Sequence, residues 1–117
     1  MAIGIRGISE ENFNDLFEGD EELFISVLRS FVNKTPSTLC ILATVTPETL
    51  PDYAIRIHGL KGACAGICAE EARQMAYKLE MMSKAGDLPG VQANNGAFLE
   101  YMKELMGNLQ NWLKNHP

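Results

Sequence analysis

Leu50-Pro51-Asp52-Tyr53-Ala54-Ile55-Arg56-Ile57-His58-Gly59-Leu60-Lys61-Gly62-Ala63-Cys64-Ala65-Gly66-Ile67 decides how this chain folds. Leu50, Tyr53, Ile57, Leu60, Cys64 and Ile67 recur at alternating steps of three and four, the single buried stripe of an amphipathic helix. At ~100° of rotation per residue, His58 falls to one side of that stripe, ringed by Ala54, Ile55, Gly62 and Ala65. Residues three and four apart are helix neighbours, so Lys61 and Gly62 lie beside His58. The helix can start after Thr46 or after Thr49. Thr49 is favoured, with Asp52 completing an arrangement like a capping box.

The same periodicity extends outward in both directions. Ser9-Glu10-Glu11 opens a short lead helix with Phe13, Leu16 and Phe17 on its apolar face, ending at Gly19. Asp20 caps a second helix whose Leu23, Phe24, Val27, Leu28 and Phe31 keep helical spacing, with Leu39 and Leu42 extending it past a kink at Pro36. A break is expected near Gly66. Glu70 and Glu71 then open a further helix with Ala72, Met75, Ala76, Leu79 and Met82 facing inward, ended by Gly86. Asp87-Leu88-Pro89 starts the last helix, in which Val91, Phe98, Met102, Leu105, Leu109 and Trp112 hold one phase. Asn94-Asn95-Gly96 also reads as a turn, but the phase is unchanged across it, which favours one continuous helix. The expected fold is all-α: an antiparallel up-down-up-down four-helix bundle with a short N-terminal lead helix, one domain over 1–117 with a core of about 8–114.

Composition bounds what such a bundle does. The chain has 117 residues, 46% of them apolar, enough for one continuous core and too few for a second domain. Fifteen acidic residues against ten basic ones give a net charge of −5, with no basic stripe for nucleic acid. Met1-Ala2-Ile3-Gly4-Ile5-Arg6 lacks the apolar core of a signal peptide, and no window approaches the ~20 apolar residues of a membrane span. Cys40, Cys64 and Cys68 form no even-numbered framework and read as small core residues of a reducing compartment. A cytoplasmic, monomeric protein with no membrane insertion is expected.

The chemistry centres on His58-Gly59-Leu60-Lys61-Gly62-Ala63. Neutral imidazole is a nucleophile near neutral pH without help from a base. Lys61 can offset charge gained by the ring, and Gly62 leaves bare the surface that a larger side chain would cover. Each glycine inside a helix costs ~1 kcal/mol relative to alanine. Access for an outside protein accounts for Gly62, whereas Gly59 and Gly66 could equally serve close packing against a neighbouring helix. Ile55 could belong to a widened core, but beside His58 it suits apolar contact with a partner. Cys64 and Cys68 superficially resemble metal ligands near His58, yet Cys64 is on the buried stripe and His58 points away from it, so no metal is expected. A nucleophile, a cation and bare backbone within one turn suit a phosphoryl acceptor; neither a phosphate-binding loop nor kinase signatures are present, so the phosphate must come from another protein.

His58-Gly59-Leu60-Lys61-Gly62-Ala63 resembles the His-x-Leu-Lys-Gly motif of histidine-containing phosphotransfer (HPt) domains of two-component phosphorelays. Phe31 with Pro36, Lys78-Leu79-Glu80, and Asp87-Leu88-Pro89 through Phe98-Leu99-Glu100-Tyr101-Met102 resemble the same family, most closely the domains that end hybrid sensor kinases. Roughly residues 8 to 114 are covered. The resemblance implies that His58 accepts a phosphoryl group on Nε2 from a receiver-domain aspartate and passes it on, with Lys61 compensating charge and Ile55, Gly59, Gly62 and Ala65 forming the docking surface. It implies response-regulator receiver domains or a hybrid sensor histidine kinase as partners, and a phosphoryl carrier with no cofactor and no ATP site of its own. Two other readings stand beside it: an unphosphorylated helical adaptor for receivers, and the phosphorylatable N-terminal domain of a chemotaxis-type kinase. The chain departs from the family at Gly66-Ile67-Cys68-Ala69, where many members have glycine at the position of Cys68. The shape of that turn is left open.

Overall fold

The computed structural model describes residues 3–116, so Met1, Ala2 and Pro117 lie outside it. Met1 and Ala2, on which the expectation of no signal peptide partly rests, are outside the described residues. The described residues form five helices and no strand: α1 (Glu10–Phe17), α2 (Glu21–Leu42), α3 (Leu50–Gly66), α4 (Glu70–Lys84) and α5 (Leu88–Lys114). None is long and apolar enough to cross a membrane. The packing is bundle-like: α3 lies along α4, α4 against α5, and α2 against both α3 and α5.

Helix starts follow the expected chemistry with one exception. Ser9, Asp20 and Asp87 accept from the backbone N–H groups of Asn12, Leu23 and Gly90, satisfying donors that a first turn leaves free. Thr49 does stand at the N-cap of α3, but its hydroxyl turns back to Thr46, accepting from the Thr46 N–H at 2.9 Å. Asp52 completes no capping box; it pairs with Arg56 one turn on. Pro36 sits inside α2 without ending it.

The turn left open at Cys68 has a defined form. Ala69 N–H donates to Cys64 O and Cys68 N–H to Ala65 O, the paired bonds of a Schellman ending. That motif needs a left-handed residue, and Cys68 supplies it at φ 64. A non-glycine residue there costs about 1–2 kcal/mol; burial of the Cys68 side chain offsets part of this. Gly86 at φ 74 closes α4 by the same pair of bonds, from Gly86 N–H to Ser83 O and Asp87 N–H to Met82 O.

The α3 stripe is buried as expected, from Leu50 through Cys64 to Ile67. Three apolar expectations are corrected. Leu16 and Leu23 are exposed, because Phe13, Phe17 and Phe24 fill the junction of α1 and α2 with rings whose centroids lie 4.8–5.8 Å apart. Cys40 is on the surface of α2, not in the core.

Asn94-Asn95-Gly96 does not interrupt α5. Asn95, on the inward phase, accepts from Tyr53 Oη at 2.8 Å and donates through Nδ2 to Leu42 O at 2.8 Å, so one buried amide ties the end of α2 and the start of α3 to α5. Asn95→Leu would leave the buried Tyr53 hydroxyl and Leu42 carbonyl unpaired. The expected loss is about 2–4 kcal/mol in urea denaturation, with an unchanged helical circular-dichroism spectrum before the transition.

Candidate functional site

α3 and α4 pack along each other where buried side chains are small: Cys64 on α3, and Ala72 and Ala76 on α4. One turn beyond Ala76 the same face of α4 carries Glu80, whose carboxylate is 2% exposed. Burying a carboxylate is costly without partners. Glu80 has three: His58 Nδ1 and Lys84 Nζ, each 2.6 Å from Oε2, and Lys61 Nζ, 2.6 Å from Oε1. Burial alone would push its pKa up, but the contacts with Lys61, Lys84 and His58 outweigh that and bring it down to about 2. Glu80 is therefore ionised across the physiological range.

This anchor determines how His58 presents itself. With Nδ1–H donating to Glu80, the neutral ring must carry its lone pair on Nε2, at the opposite edge. The side chain is 62% exposed, and Nε2 makes no hydrogen bond among the described residues. A buried anion thus fixes the tautomer of an exposed nucleophile. Should Nε2 gain an electrophile, the ring becomes cationic, and the carboxylate at Nδ1 stabilises that charge.

Lys61 lies on the side of α3 that carries His58, as its spacing implied, but it is held inward. Its ammonium reaches Glu80 Oε1 and sits 5.4 Å from the centre of the Tyr77 ring, leaving its side chain 23% exposed. Lys84, four residues after Glu80, is 56% exposed and shares Oε2 with the imidazole.

The remaining residues expected at the site all lie on α3. Ile55 is 72% exposed, and Gly59, Gly62 and Ala65 are all on the surface. A Cβ at Gly59, Gly62 or Gly66 would meet nothing within 4 Å. Close helix packing therefore explains none of the three. They form a bare strip on α3, bordered on the α2 side by a groove of about 230 Å³ lined by Lys34, Thr38, Arg56, Gly59 and Ala63. On the α4 side, Tyr77 and Met81 are large exposed side chains.

Sequence reasoning missed Glu80 and Lys84 as site residues. A signal existed: Glu80 is four residues beyond inward-facing Ala76 and next to Leu79, so helical phase puts it at the edge of the buried face. Cys64 is wholly buried, and burial pushes its thiol up to about 12. His116 is stacked on Trp112 at 3.8 Å between ring centroids and serves packing at the end of α5. Comparison with protein-family models, with curated proteins and with solved structures finds no match for this chain.

Proposed function

We propose that this protein is a phosphoryl carrier of the histidine-containing phosphotransfer kind, in which Nε2 of His58 accepts a phosphoryl group from the aspartyl phosphate of a receiver domain and hands it to another receiver. The observation that carries this reading is the contact between His58 Nδ1 and the buried Glu80 carboxylate, 2.6 Å long, under an otherwise exposed ring. A solvated surface histidine has no reason to be held this way. A nucleophile that must present one particular nitrogen does.

In this reading the helices form an antiparallel up-down-up-down four-helix bundle with α1 as a lead. Brief connectors between helices that pack on one another, 67–69 after α3 and 85–87 after α4, support that arrangement. The module works as a monomer in the cytoplasm, needs no cofactor of its own, and leaves any metal-dependent step to the receiver. Transfer proceeds by attack of the Nε2 lone pair on phosphorus with departure of the donor carboxylate. Nδ1 keeps its proton and Glu80 takes up the ring's new positive charge.

The test is incubation with a phosphorylated receiver, followed by assay for acid-labile, base-stable label on this chain. Label should appear while the receiver loses its own. Receiver binding with no label would favour the adaptor reading, and labelling only by a kinase domain with ATP would favour the chemotaxis-type alternative.

The bare strip makes its own prediction. Gly62→Leu adds a side chain that, by helical geometry, leans towards the preceding turn and so over His58. Transfer from a receiver should fall about tenfold or more, in proportion to lost docking, while labelling by a small phosphoryl donor changes little. Stability should rise slightly, since a helix-interior glycine is removed from open surface.

A further inference from the structure

We propose that Lys84, rather than Lys61, is the cation that engages the phosphoryl group, leaving Glu80 Oε2 as His58 becomes phosphorylated. The assignment rests on His58 being the acceptor, and goes beyond it by giving the two lysines different tasks.

Lys61 is not free to move. Among the described residues it is the sole ion-pair partner of the buried Glu80 Oε1, which accepts no hydrogen bond; it is mostly covered and lies over the Tyr77 ring. Drawing it away would leave that buried carboxylate oxygen with neither a hydrogen bond nor a counter-charge. Lys84 is under no such constraint: its side chain is 56% exposed, and the oxygen it contacts keeps a second partner in His58 Nδ1.

The charge changes of transfer then select Lys84. In the form that reacts, with the Nε2 lone pair free, Oε2 is shared between an uncharged N–H donor and an ammonium, a favourable arrangement for a buried carboxylate. When the Nε2 lone pair bonds to phosphorus and the P–O bond to the donor carboxylate breaks, Nδ1 keeps its proton and the ring turns cationic. Two cations now crowd one oxygen, and their repulsion weakens the hold on the more mobile one. At the same moment the phosphoryl group places nearly two negative charges on the exposed edge of the same ring. The ammonium of Lys84, already beside that ring through the shared oxygen, moves from Oε2 to a phosphoryl oxygen. Glu80 stays neutralised by Lys61 and by the imidazolium. Return of the phosphoryl group to a receiver reverses each change.

The experiment uses the full chain phosphorylated by phosphoramidate, which transfers its phosphoryl group to imidazole nitrogen and releases ammonia. The phosphorus resonance is then followed against pH. The charged groups facing the ring from α3 and α4 are Lys61, Glu80 and Lys84. In Lys84→Met the phosphoryl titration should move up by about half a pH unit, since an adjacent cation favours the dianion. Lys84→Arg should restore it. Lys78→Ala, which removes the same charge from an exposed position on α4, should leave it unchanged. A Lys84→Met protein titrating together with the wild type, or a Lys61→Met protein shifted further than Lys84→Met, would overturn the assignment. Absence of any phosphorus–nitrogen resonance from His58 in the wild type would instead overturn the acceptor reading, and the assignment with it.

Discussion

A His58→Gln protein should take no label from a phosphorylated receiver, under conditions in which the wild type is labelled within the mixing time of the assay. The glutamine amide can still donate to Glu80, and Lys61 and Lys84 keep their contacts with the carboxylate. The side chain replaced is 62% exposed. Folding stability should therefore change by less than about 1 kcal/mol. What disappears is the only imidazole in this part of the surface among the described residues, so label should fall to background rather than by a modest factor. The measurement is acid-labile radioactivity on the chain, read beside a urea denaturation curve of the same preparation. Label persisting on the folded variant would move the acceptor elsewhere and remove the basis for the phosphotransfer reading.

Replacing Glu80 should have two separable effects, because this one carboxylate contacts His58, Lys61 and Lys84 and, in the proposed reading, sets the chemistry. Glu80→Ala removes the partner of three cationic or donor groups and leaves a void between α3 and α4, costing about 2–4 kcal/mol. Glu80→Gln keeps the shape and one acceptor for Nδ1–H but not the charge, and should cost about 1–3 kcal/mol. In both, transfer to His58 should slow about 10–100-fold, since the cationic ring formed in the step loses its counter-charge.

The pH dependence gives this prediction a sign. The Glu80 carboxyl is held at about 2, below its ordinary value of 4.5, so its contribution is fully present above 4.5. It is lost progressively as pH falls from 4.5 towards 2. The stability difference between wild type and Glu80→Gln should be largest at neutral pH and shrink through that window. Glu70, also lowered by its hydrogen bond with Arg73, is present in both proteins and cancels from the difference. A difference that stays constant between pH 7 and pH 3 would mean that Glu80 stabilises by packing alone.

The helices were legible because their signals are local. Periodicity along α3 and α5, and the caps Ser9, Asp20 and Asp87, are each readable within one or two turns, and the structure agrees with them. Asn95 shows where local reading stops. Its phase placed it inward, but why an amide is tolerated there depends on Tyr53 and Leu42, 42 and 53 residues away in sequence. Leu16 and Leu23 failed for a related reason: three phenylalanines compete for one junction, and two leucines are left outside.

The site divides along the same line. His58, Lys61, Gly62 and Ile55 share one helix, so their common side of α3 follows from spacing alone. Glu80 and Lys84 come from the next helix, and their role depends on how α4 is rotated against α3, which no single-helix pattern determines. The consequence is chemical. Lys61 beside His58 suggests a cation waiting for phosphate, whereas its engagement with Glu80 gives it an anion already in hand.

The central claim is that Glu80 fixes the imidazole so that Nε2, and not Nδ1, is the reacting atom. The most direct test is a long-range proton–nitrogen correlation spectrum of the protein, its histidines labelled with nitrogen-15, before and after phosphorylation. The predicted spectrum has Nδ1 of His58 protonated throughout and the phosphoryl group on Nε2 alone. A phosphoryl group on Nδ1, or a His58 ring unchanged while label sits on another residue, would contradict it.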